Sequence, residues 1–117
     1  MDRNSKNKIN FIPYNCEDRW GLAHNENYHV FKWADGDILF SVARLGDACT
    51  CHFAAKDLRP LKKAIDEFVE FVFYLFDWCT MVLAIIEKPS VKRLVVKCGF
   101  NKLNDDVYMK VNHGKIS

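Results

Sequence analysis

Residues 88–100 read KPSVKRLVVKCGF. Pro89 suits the first turn of a helix, where its missing N–H would have had no partner anyway. Val91, Leu94 and Val95 then recur at helical spacing on one face. Gly99 stops the helix, as a glycine able to take left-handed dihedrals does. The stretch therefore predicts a short helix over residues 90–97. Upstream, residues 78–86 are a continuous apolar run without alternation, which suits a central strand buried on both faces. Downstream, residues 107–111 alternate apolar and polar and predict a last strand.

Further upstream, Leu61, Ile65, Phe68, Val72, Leu75 and Phe76 recur at three- and four-residue steps. Lys62, Lys63, Asp66, Glu67 and Glu70 hold the opposite face. This pattern predicts a long amphipathic helix over residues 58–76, packed on a sheet, with Asp57 as its N-cap and Pro60 in its first turn. Residues 61–111 thus form an α/β unit of helix, strand, helix and strand.

The first half reads as antiparallel. Ile9 and Phe11 suit a first strand within residues 8–14, and residues 17–22 suit a short helix with Trp20 and Leu22 turned inward. Residues 28–34 and 37–44 flank Asp35-Gly36, a hairpin signal. Leu45-Gly46-Asp47 is a second turn, and residues 48–55 are a third strand of the meander. Residues 1–7 read as a disordered lead-in to one domain spanning residues 1–117.

Half of the 117 residues are hydrophobic and 14% are aromatic, enough for a packed core. A net charge of +2 gives no strongly basic face for nucleic acid. The five cysteines are odd in number and lack framework spacing, so they predict reduced thiols and a cytoplasmic location. No apolar leader is present in residues 1–8. Residues 68–86 approach bilayer-spanning length, but Glu70 and Asp77 interrupt them, and a mid-membrane charge costs about 2.5–3.5 kcal/mol.

The closing stretch resembles the last motif of the GNAT acyltransferase superfamily, roughly Asn-Pro-x-Ser-x-Arg-Leu-x-x-Lys-x-Gly-Phe. Pro89, Arg93, Leu94, Lys97, Gly99 and Phe100 match it in register, while Lys88 stands at the lead position. The element order resembles that family throughout, and especially its very short acetyltransferase-like members in tailed bacteriophages. The resemblance implies an α/β (α+β) fold with a mixed, mostly antiparallel sheet, a long central helix and a short C-terminal helix. It also implies acetyl-coenzyme A, with pantetheine between splayed fourth and fifth strands and pyrophosphate at the long helix N-terminus, where N–H groups and the helix dipole favour anions.

Carried over position by position, the family's phosphate loop falls on AAKDLRP, residues 54–60, which has no glycine. Lys56, Arg59, Lys62 and Lys63 are the cations there, and Arg93 joins them as a cofactor-binding candidate. The family's acidic tyrosine falls on Val95, which leaves Tyr108 as the nearest downstream tyrosine for that role. His52 lies on the strand where some members keep a base, and its side chain titrates in the right range. Against this, a strand histidine is more often simply hydrogen-bonded or exposed. Cys49, Cys51 and His52 form a Cys-x-Cys-His cluster without a second ligand pair, so the cysteines read as core residues.

Two functions follow. One is a minimal acyltransferase that moves an acyl group from acyl-coenzyme A to an amine, on a protein among other acceptors. The alternative is a GNAT-fold protein without catalysis that binds a host or virion protein.

Overall fold

The computed structural model describes residues 10–22 and 26–113. The expected lead-in over residues 1–7, and Ile9 of the expected first strand, lie outside the described residues. Within the described residues, the elements run in the order β1 (Phe11–Pro13), β2 (His29–Trp33), β3 (Ile38–Leu45), β4 (Ala48–Ala55), α1 (Leu61–Leu75), β5 (Met81–Ile85), α2 (Pro89–Lys97), β6 (Asn101–Lys102) and β7 (Val107–Val111). One sheet runs β1-β2-β3-β4-β5-β7-β6. Every neighbouring pair is antiparallel except β4 and β5, which are parallel. This is the mixed, mostly antiparallel sheet with one long and one short helix that the sequence predicts.

Both helices pack on one face of the sheet. Helix α1 buries Leu61, Ala64, Ile65, Phe68, Val69, Phe71 and Val72 there, the face set by its three- and four-residue apolar spacing. Phe68 stacks on Phe40 of β3 with ring centroids 4.2 Å apart, and Phe11 meets Phe40 edge-on at 5.7 Å. Burying each such ring contributes about 1.5–3 kcal/mol. Glu67 on α1 accepts hydrogen bonds from the Trp33 indole at 2.9 Å and from the Asn10 amide, which ties the first two strands to the helix. Helix α2 adds Val91 and Val95 to the same core.

The other face carries a smaller cluster of Leu22, Val30 and Leu39, packed against Tyr14, Trp20 and Ala54. This cover reaches only β2, β3 and β4. The strand buried on both faces is therefore β3, not β5 as the apolar run predicts. In β5, Val82 and Ala84 are buried under the helices, while Met81 and Leu83 are half-buried and Ile85 is exposed on the open face. An apolar run records composition, whereas burial depends on what lies above each face.

Two other expectations are corrected. Residues 17–22 form a turn rather than a helix. The Asp18 carboxylate accepts the Trp20 N–H at 3.0 Å, and Trp20 and Gly21 take φ of 55° and 78°; this local bond competes with helix formation. Helix α1 starts later than predicted, with Pro60 at its N-cap and no side-chain cap. Strand β6 was not anticipated, because two residues are too few to show a period. Gly99 does end α2, with φ of 94°, and Lys110 on β7 donates from Nζ to the Cys98 carbonyl at 2.7 Å.

Candidate site between β4 and β5

The parallel register of β4 and β5 runs from Ala48 opposite Met81 to Cys51 opposite Ala84. Beyond that point β4 continues through His52, Phe53, Ala54 and Ala55, paired with β3 alone. The two strands part there, and the parting opens a cavity of about 490 Å3. His52, Phe53 and Leu58 wall it on one side and Ile86, Lys88 and Val91 on the other, with Trp20 and Gly21 at the rim.

His52 is the first β4 residue past the parting. It is half-buried, and burial pushes its pKa below the ordinary 6.5, so its imidazole is neutral at pH 7. Its Nε2 lies 3.3 Å from the hydroxyl of Tyr28, which itself lies 3.4 Å from the Thr50 hydroxyl. A neutral imidazole beside an open cavity is a proton acceptor in the correct state for general-base work. The sequence offers no signal for Tyr28, which is 24 residues distant and reaches across β3.

The cations at the start of α1 are already engaged. Arg59 pairs with Asp57 at 2.9 Å, Lys62 pairs with Asp66 at 3.0 Å, and the Lys56 ammonium sits 4.3 Å from the Trp20 ring centroid. Asp57 also accepts the Arg59 backbone N–H at 3.0 Å. This carboxylate sits in the loop before the helix and engages Arg59, while the first turn of α1 itself has no side-chain cap. Lys63 is exposed on α1 beside this group.

The remaining candidates lie apart from the cavity. Arg93 is exposed on α2 and is not part of the cavity wall. Val95 is fully buried, so the position of the family's acid is an apolar core position. Tyr108 is also buried, on β7 opposite Ala84, under the helices and away from the cavity. Of the catalytic and Arg93 candidates, His52 alone lines the cavity, while Tyr108 and Arg93 lie outside its wall. Cys49 and Cys51 belong to the core beneath α1, whereas His52 faces the other way, because successive strand residues alternate. Among the described residues no cluster of three His, Cys, Asp or Glu side chains could hold a metal, and no helix is long and apolar enough to cross a membrane.

No protein-family model and no curated protein matches the chain. Among solved structures it is similar to the crystal structure of the N-acetyltransferase PseH of Campylobacter jejuni, at 12% sequence identity and a TM-score of 0.50, covering 73% of this chain and 67% of that one. The fold of this chain is thus GNAT-like, the fold that residues 88–100 and the element order predict.

Proposed function

We propose that the chain is an acyl-coenzyme A-dependent N-acyltransferase whose thioester donor enters between β4 and β5. One observation carries this reading: the two strands part at Cys51 and Ala84, and His52, neutral and half-buried, stands at the parting beside the cavity. The free edge of residues 52–55 is extended backbone that suits the amides of a pantetheine arm. Lys56, Lys62 and Lys63 are the cations nearest the diphosphate end, together with Arg59 once it leaves Asp57. The fit is good along the arm and poorer at the phosphates, because Asp57 places a negative charge in the loop before α1 and holds Arg59.

Millimolar acetyl-coenzyme A tests the reading. A ligand that binds only the native state raises Tm, by an amount corresponding to about 2.7 kcal/mol at 100 times Kd. An unchanged Tm at several millimolar would refute it.

A second reading, binding without catalysis, has its own support. Met81, Leu83 and Ile85 pair in register with Val111, Met109 and Val107, which sets six apolar residues on the face that carries neither helix. Together with the glycine-free stretch of residues 54–60, this patch favours a protein partner, of host or virion origin in the light of the phage resemblance. In that case Leu83→Asp abolishes complex formation with the partner and leaves the fold intact.

A further inference from the structure

We propose that Thr50 and Tyr28 fix the tautomer of His52 so that Nδ1 is the proton-accepting atom of the site. The argument is an accounting of protons along one chain of hydrogen bonds. The Ala43 carbonyl can only accept, and the Thr50 hydroxyl donates to it at 3.4 Å. Thr50 has then spent its one proton and can only accept from Tyr28, 3.4 Å away. Tyr28 has spent its proton in turn, so its oxygen accepts from His52 Nε2 at 3.3 Å. His52 thus carries its hydrogen on Nε2, and a neutral imidazole with Nε2–H has its lone pair on Nδ1. The reverse direction makes two of these bonds rather than three and leaves the Ala43 carbonyl without the hydroxyl.

The hydrogen-bond partner of His52 is a phenol and not a carboxylate, so this bond does not favour a charged imidazole. Among the described residues, the other titratable groups around it are Glu87 and Lys88 in the cavity wall and Lys56 over Trp20. The role of the arrangement rests on the acyltransferase reading. As the amine nitrogen bonds to the acyl carbon, the C–S bond breaks and sulfur leaves with its electron pair. The amine proton passes to Nδ1, and its return to sulfur yields the thiol and restores neutral His52. Tyr28 acts through His52 and is a positioning residue.

The test is a long-range proton–nitrogen correlation spectrum of the full chain labelled with 15N-histidine at pH 8, with His52 assigned by His52→Gln. The wild type is expected to show a pyrrole-type Nε2 and a pyridine-type Nδ1. Thr50→Val removes the acceptor of the Tyr28 proton, so Tyr28 turns to donate to Nε2 and the hydrogen moves towards Nδ1. Tyr28→Phe leaves Nε2 without a partner and gives a mixture of tautomers. A merely structural role for Thr50 would not move the tautomer, and either variant suffices if the other fails to fold. A wild-type Nδ1–H tautomer, or a His52 pattern unchanged in the folded variants, overturns the proposal. No acyl donor enters the measurement, so a failed acetyl-coenzyme A shift would sink the acyltransferase reading separately.

Discussion

Gly99→Ala should destabilise the protein through two distinct costs. Gly99 sits at φ of 94°, where an L-residue with a Cβ is disfavoured by about 1–2 kcal/mol. The added Cβ would also lie 3.0 Å from Lys110 Nζ and 3.4 Å from its Cε. Lys110 is flexible and can move away, but it then loses its 2.7 Å bond to the Cys98 carbonyl, worth about 1 kcal/mol. The stiffer unfolded chain returns about 0.5 kcal/mol. The net loss is about 2 kcal/mol, which lowers Tm by about 6–10 °C for a domain of this size. Urea denaturation and a thermal melt measure it. The Lys110→Met background separates the costs: there Gly99→Ala should lose only the backbone part. A Tm within about 1 °C of wild type would refute the reasoning, and an equal loss in both backgrounds would refute the Lys110 contribution.

Two further outcomes are expected. Burial lowers the proton affinity of His52 in the folded state, so the unfolded chain binds the extra proton, and stability present at neutral pH is lost as pH falls below about 6.5. Tm measured from pH 8 to pH 5 should therefore drop more steeply for wild type than for His52→Gln, and parallel curves would contradict the assignment. Iodoacetamide on native protein should add to Cys16 alone, since Cys49, Cys51, Cys79 and Cys98 are buried and burial pushes Cys98 up to about 11. Denaturant should release the other four, and several adducts on the native chain by mass spectrometry would count against the core described above.

The elements that a local pattern specifies were legible in the sequence. Helix α1 shows itself by spacing, α2 by Pro89 and Gly99, and the β2–β3 hairpin by Asp35-Gly36. What escaped depends on contacts between distant segments. Whether β5 is covered on one face or two is decided by residues 14–22 and by both helices, not by residues 78–86. The turn at Trp20 follows from one side-chain bond that outweighs a helical composition. At the cavity, His52 is reachable from the sequence because its strand position matches a family pattern. Tyr28 is not, because only the folded sheet brings it across β3. Tyr108 shows the reciprocal: strand alternation sends it to the helix side, and proximity in sequence to α2 says nothing of that.

The strand order has a consequence for how the protein is made. From β1 to β5 each strand pairs with the one synthesised just before it, and only the final hairpin departs, with β7 docking on β5 ahead of β6. The loops that close β2 to β3 and β3 to β4 are short, so their entropy cost is low, while β1 joins across residues 14–28. The sheet can therefore be laid down in the order in which the chain leaves the ribosome, with α1 arriving in time to cover Phe11 and Phe40. Residues 81–111 leave the ribosome last, so the parting beside His52 cannot form until β5 has been made and pairs with β4.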